Sequence, residues 1–247
     1  MKSLSRLSLT VFFIVIIVYG MAAYSPDERF FGRVYLAGTN PPELIFTHEN
    51  LYERSGDSET LTHVYKTPDG ATATVERVTL KEGLVDRYEV DFSTSECGCL
   101  LTRKGEDMEF SFTRGEKDKR GVRSYESNLV TGPTLNAFAA KNLDRLRAGN
   151  AAELYLAAMP FQQVVKFRLT NDQASRYNRA GAVVLKMVTA NPLFRLFAEP
   201  VYLVVDEGSK RITEIHGKSL LERVVNGKKE NPVVDIYYTF PVQEAKR

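Results

Sequence analysis

Apolar and polar residues alternate along most of this chain. In Leu84–Phe92, Tyr88, Val90 and Phe92 alternate with Arg87, Glu89 and Asp91. In Glu106–Thr113, Met108, Phe110 and Phe112 alternate with Glu109, Ser111 and Thr113, and Val164–Leu169 sets Val165, Phe167 and Leu169 against Lys166 and Arg168. A period of two places one side of a strand on a core and the other in water, the habit of antiparallel sheets. Turn signals separate the runs. Pro68-Asp69-Gly70 lies between HVYKT and ATATVERVTL, and Lys104-Gly105-Glu106-Asp107 between CLLTR and MEFSFT. Asp206-Glu207-Gly208-Ser209 lies between VYLVV and RITEI, and Asn226-Gly227 between LLERVV and VVDIYY. Each joins Gly to Asn, Asp or Pro, as hairpin turns require. A series of hairpins predicts a meander: a curved sheet, open barrel or sandwich.

One segment changes period. In Pro133–Arg147 the apolar residues Leu135, Phe138, Ala139, Leu143 and Leu146 fall at helical spacing. Pro133 suits a first turn, Gly149 an end, and Arg145 and Arg147 the negative end of the helix dipole. The expected fold is therefore mainly β: a curved antiparallel sheet or open barrel, with one amphipathic helix packed on a face of it. A subdivision near residue 130 and a single sheet running through both halves are both compatible with this pattern.

The N-terminus adds a destination. Lys2 and Arg6 precede an apolar run centred on Val11–Val18, and Met21-Ala22-Ala23 offers small residues for a peptidase. Residues 1–23 read as a secretory signal peptide, leaving one β-rich domain over 24–247 in the periplasm or outside the cell. The alternative is an inner-membrane anchor through residues 7–23, at the short limit of a spanning helix. Charge then sharpens this reading. The 247 residues hold 33 Lys and Arg against 31 Asp and Glu. Both excess charges are Lys2 and Arg6, and residues 1–23 contain no acid. The remainder is formally neutral, which argues against nucleic acid and against electrostatic docking on anionic lipid. Any lipid contact must then act through apolar groups. A chain that is 43% hydrophobic and 26% charged is neither disordered nor collagen-like.

Motifs for chemistry are sparse. No G-x-S-x-G, H-E-x-x-H or Gly-rich phosphate loop occurs, so no enzymatic activity is expected. Acids such as Glu89 and Asp91 read as the solvent side of half-buried strands. His48, His63 and His216 lack metal-ligand spacing, and each lies in a strand-like run where a surface position is expected. Cys97-Gly98-Cys99 is the most specific local feature. On a strand its two sulfurs share a face, so in an exported protein they are expected to form a local disulfide. Two thiols without chemistry, or a redox or metal pair, are the alternatives. The connector Asn191–Pro200, NPLFRLFAEP, sets Leu193, Phe194, Leu196 and Phe197 between two prolines. It either plugs one end of the core or lines the mouth of a pocket for an apolar ligand, together with Phe138.

The order of elements after residue 129 carries a resemblance. A helix followed by Gly149 leads to a long strand pair, then to EPVYLVVDEGSKRITEIHGKS and to VVDIYYTFP. With Pro200, Asp206, Gly217 and Ser219 as its punctuation, residues 129–241 resemble an uncharacterised family of bacterial periplasmic β-rich proteins. These are similar to the unclosed-barrel lipoprotein carriers of the outer-membrane sorting pathway. The resemblance implies a curved sheet whose concavity takes an acyl chain. The chain departs from the carriers in having one clear helix. The expected function is an exported envelope protein that binds a lipid or acyl chain without a cofactor. The alternative is an assembly protein that docks an envelope partner through a sheet edge.

Overall fold

The computed structural model describes residues 29–93, 97–159, 163–191 and 199–241. The predicted strands and helix form. In the N-terminal half, β1 (Phe31–Leu36) and β2 (Glu43–Ser55) lead into β3 (Ser58–Lys66), β4 (Thr72–Lys81) and β5 (Leu84–Phe92). Then come β6 (Cys97–Lys104), β7 (Asp107–Arg114), β8 (Lys117–Ser124) and the two-residue β9 (Leu129–Val130). The helix α1 spans Leu135–Arg147 and separates the halves. The second half contains β10 (Ala152–Ala158), β11 (Gln163–Asn171), β12 (Ala182–Thr189), β13 (Val201–Asp206) and β14 (Ile212–Lys218). A short hairpin, β15 (Arg223–Val225) and β16 (Lys228–Glu230), precedes β17 (Val233–Thr239).

Fifteen of these strands make one sheet, ordered β8-β7-β6-β5-β4-β3-β2-β1-β17-β14-β13-β12-β11-β10-β9. Each half is a meander of hairpins, so neighbours in sequence are neighbours in space. The two meanders meet where the first strand and the last pair antiparallel, Val34 opposite Ile236. One sheet therefore runs through both halves, and the seam joins the ends of the described chain. The pairing is antiparallel throughout except at β9–β10. The Asn226-Gly227 turn forms, with both residues at positive φ. Such a turn suits Asn-Gly because its twist matches that of the flanking strands. Its hairpin is the separate β15–β16 pair, however, and VVDIYY joins the seam.

The sheet curls without closing. Its inner face holds three clusters of buried side chains. Around the seam, Val34, Phe46, Val234 and Ile236 pack together. In the second half, α1 lays Leu135, Ala139, Leu143 and Leu146 against Leu154, Leu169, Leu185 and Leu203. In the first half, Leu61, Val78, Tyr88, Leu101 and Phe110 pack with Leu129, Ala157 and Met159 from the opposite end of the sheet. The β9–β10 end thus tucks under the inner face of β3–β7, and the sheet overlaps itself as an open barrel. The helix ends in basic residues Arg145 and Arg147, as its dipole favours. No helix among the described residues is long and apolar enough to cross a membrane.

Candidate functional site

The overlap leaves a cleft. It lies between the tips of β3–β5 and the segment running from β9 through α1 to β10, and its volume is about 990 Å³. Leu61, Leu80 and Val85 come from the strand tips, Leu129 and Val130 from β9, and Phe138 from the helix. Phe138 is half-buried and also packs on the core beneath α1. It is the member of the expected apolar site that can be placed, and it lines this cleft. Leu193, Phe194, Leu196 and Phe197 lie outside the described residues. On the helix side the cleft is polar, with Lys141, Asn142 and Arg145 from α1 and Arg168 from β11.

Beside the cleft lies a buried polar cluster. Strand pairing builds it row by row. Asn50 faces His63, and His63 faces Glu76, across β2, β3 and β4. His48 faces Tyr65, and Tyr65 faces Thr74, in the adjacent row. These side chains point inward, leaving His48 2%, His63 6% and Glu76 8% exposed. The histidines are therefore core residues and not surface ones. The alternation Leu61-His63-Tyr65 places His63 inside, because the burial of two flanking apolar residues carries the polar one with them. The rings sit in an aromatic box: His48 lies 4.5 Å from His63, 4.7 Å from Tyr65, 5.4 Å from Phe30 and 5.5 Å from Tyr238, centroid to centroid. Both nitrogens of His48 and Nδ1 of His63 lack a hydrogen-bond partner among the described residues. Burial pushes His63 down to about 3, and burial plus the neighbouring His63 lowers His48. Both rings are consequently neutral near pH 7.

Glu76 links this cluster to the cleft wall. Burial pushes its carboxyl up to about 7, against the pull of a hydrogen bond from Tyr88. The Gly132 backbone N–H donates in turn to the Tyr88 hydroxyl. Gly132 sits between Val130 and Pro133, which line the cleft. A Cβ at Gly132 would overlap Oε2 of Glu76, so a larger residue there requires the buried Glu76 carboxyl to shift. Among the described residues, no group of three or more His, Cys, Asp or Glu is arranged to hold a metal ion.

The cysteines carry a correction. Cys97 and Cys99 are buried on the inner face of β6, and neither forms a disulfide. Residues i and i+2 of an extended strand lie about 6.7 Å apart between Cα atoms, at the outer limit for a bridge. The strand pairs regularly with β5 and β7 on both sides, which holds this spacing. Cys97 Sγ instead accepts from Arg114 Nε at 2.7 Å. Burial, with the charges of Cys97 and Glu222, pushes the Cys99 thiol up to about 12.

The third histidine is a site that spacing did not reveal. His216 is 3% exposed on the outer face, stacked on Tyr177 with centroids 3.9 Å apart and planes 4° from parallel. Its Nδ1 lies 2.7 Å from Asp235, and its Nε2 lies 2.9 Å from Glu214. Burial pushes Glu214 up, but hydrogen bonds from Arg179 and His216 outweigh it and hold the carboxyl below its ordinary range. This arrangement fastens the 172–181 connection to the seam. The punctuation residues are likewise structural. Asp206 accepts from both the N–H and the hydroxyl of Ser209, and Ser219 accepts from the N–H of Leu221.

Among the solved structures that match this chain are two from bacteria, both at low TM-scores. A beta-barrel-like protein of domain of unknown function DUF1849 from Brucella abortus matches 87% of this chain and 95% of its own. Its TM-score is 0.41 at 6% identity. A porin-like protein from Bacteroides uniformis matches 88% of this chain and 98% of its own, at a TM-score of 0.25 and 8% identity. No protein-family model and no curated protein matches the chain.

Proposed function

We propose that this protein is an exported, non-catalytic binding protein of the cell envelope, which receives an acyl chain or similar apolar group in the cleft beside α1. The observation that supports this reading is the position of the cleft. It opens where the sheet overlaps itself, and the half-buried Leu80 and Phe138 bring apolar surface to it above the buried Leu61, Val85 and Leu129. Elsewhere the described inner-face side chains pack on one another. The volume falls within the range of small-molecule sites, roughly 300–1,000 Å³. Each buried CH₂ contributes about 0.8 kcal/mol, so a chain of ordinary length binds without a catalytic step or a cofactor. The signal-like residues 1–23 and the resemblance to periplasmic carriers support the same reading.

Native mass spectrometry and lipid extraction of the protein purified from its own envelope test it. Co-purified lipid is expected, and Phe138→Ser should weaken a fluorescent acyl probe more than it lowers thermal stability. The opposite ranking would make Phe138 a core residue only, and absence of both lipid and probe binding would end the reading. For Phe194 and Phe197, the same serine substitutions and ranking apply.

A second reading rests on β8. Among the described residues this strand pairs with β7 alone, and its residues are exposed throughout except the half-buried Gly121. An envelope partner could add a strand there, guided by Lys117, Lys119, Arg120 and Arg123. Substituting a proline at Lys119 should abolish such docking and leave acyl-probe binding intact.

A further inference from the structure

We infer that the occupant of the cleft is an anionic single-chain amphiphile, held by a basic rim made of Lys141, Arg145 and Arg168. This rests on the cleft reading above and adds the chemistry of the head group. The two flanks of the cleft differ. The flank from β3–β5 and β9 presents the half-buried Leu80 over the buried Leu61, Val85 and Leu129. The flank from α1 and β11 presents the three cations, with Lys141 and Arg145 one helical turn apart on the same face. All three are exposed, and among the described residues none of them enters an ion pair. Glu153, whose carboxylate feels both Arg145 and Arg168, is already bonded to Lys166 at 2.8 Å. Glu59 is the remaining acid, and it stands on the opposite flank. A carboxylate head meeting this rim gains charge-assisted hydrogen bonds, while its chain lies against the apolar flank. The neutral charge balance of residues 24–247 conceals this local excess.

The test compares palmitate with hexadecanol, which share a chain and differ in the head, on the full chain. Palmitate should bind about tenfold more tightly, and added salt should weaken palmitate alone. The triple variant Lys141→Gln, Arg145→Gln, Arg168→Gln should remove that advantage and leave hexadecanol unchanged. A thermal melt confirms its fold, since all three positions are exposed. Equal binding of the two probes overturns the anionic head and leaves the cleft reading standing. Binding of neither probe overturns both. Palmitate binding that survives the triple variant places the head elsewhere and also overturns the inference.

Discussion

The two halves of the sheet share one construction and have opposite interiors. In the second half the helix covers the inner face, and Leu143, Leu146, Leu154, Leu169, Leu185 and Leu203 are all fully buried in hydrocarbon. In the first half the same alternation delivers His48, Asn50, His63, Thr74 and Glu76 to the interior. There the cover is the far end of the sheet itself, with Leu129, Ala157 and Met159. Inward direction is set by the pleat in both halves, and an apolar cover, whether α1 or the far end of the sheet, does not by itself decide the polarity of the residues delivered beneath it. A helix offers an apolar stripe with its backbone bonds already made. The first half instead surrounds its imidazoles with aromatic rings and its carboxyl with a hydroxyl. A buried polar group left without a partner costs about 1–3 kcal/mol. The first half holds several such atoms next to the cleft, so it is the half with stability to gain.

That comparison breaks most sharply by exchanging characters between halves. Leu203→Asn should destabilise by about 5 kcal/mol in urea unfolding, because it removes apolar contacts and buries an unmatched amide. His63→Leu should cost less than about 1 kcal/mol or stabilise, because it removes the unpartnered Nδ1 from an aromatic box. Equal damage from the two variants would mean that the polar cluster is as well satisfied as the dry core.

Acidity separates the halves next. The carboxyl of Glu76 holds its proton up to about 7 in the fold against 4.5 in an ordinary carboxylate. Its contribution is complete below pH 4.5 and is lost as pH rises through 7, a change on the order of 3 kcal/mol. The imidazoles act in the opposite sense. His63 titrates at about 3 in the fold against 6.5 outside it, so its contribution is complete above pH 6.5 and is lost as pH falls toward 3. His48 shares that direction. Between pH 4.5 and 6.5 the acid and the bases oppose one another. Glu76→Gln should therefore steepen the fall in stability on acidification within that window and abolish the loss between pH 6.5 and 7. Urea midpoints measured across the window check this, and an unchanged profile would mean that Glu76 is ionised in the fold.

Gly132 is the contact between the cluster and the cleft wall. Gly132→Ala should cost about 2 kcal/mol by overpacking. The cost should fall when combined with Glu76→Ala, which clears the overlapping oxygen. Additive costs in that double-mutant cycle would separate the wall from the cluster.

Strand positions, most turns and the helix were legible because each rests on local rules. Leu84–Phe92 alternates from Arg87 onward and folds as β5 with those same ends, its register shifting between Val85 and Arg87 where the alternation breaks. The seam was not legible, since Val34 and Ile236 meet only after fifteen strands have set the curl. For the same reason the Asn226-Gly227 turn signal points to VVDIYY as the partner of LLERVV, whereas it pairs at the seam. The histidines were partly legible. Leu61-His63-Tyr65 places His63 on the apolar side of its strand, but polar type alone argued for the surface. The Cys97–Cys99 bridge failed on spacing, because a shared face is a weaker condition than bonding distance. Of the expected ligand site, Phe138 at the cleft could be read from helical period, while the cations opposite the strand tips depend on how the sheet overlaps.

The smallest effects should fall on the outer face, and they decide whether the contrast belongs to the interior alone. Lys66 on β3 meets Glu49 at 3.7 Å, and Lys186 on β12 lies 5.9 Å from the Tyr202 ring centroid. One belongs to the polar half and the other to the dry half. Solvent screens both contacts, so Lys66→Gln and Lys186→Gln should each change unfolding free energy by less than about 0.5 kcal/mol. Their effects should also match within that range, in chemical denaturation at constant pH. A larger loss at Lys66 would mean that the first half is weaker as a sheet. Matching small losses, beside the large difference between Leu203→Asn and His63→Leu, would locate the contrast on the inner face, where the helix covers one half and the curled edge covers the other.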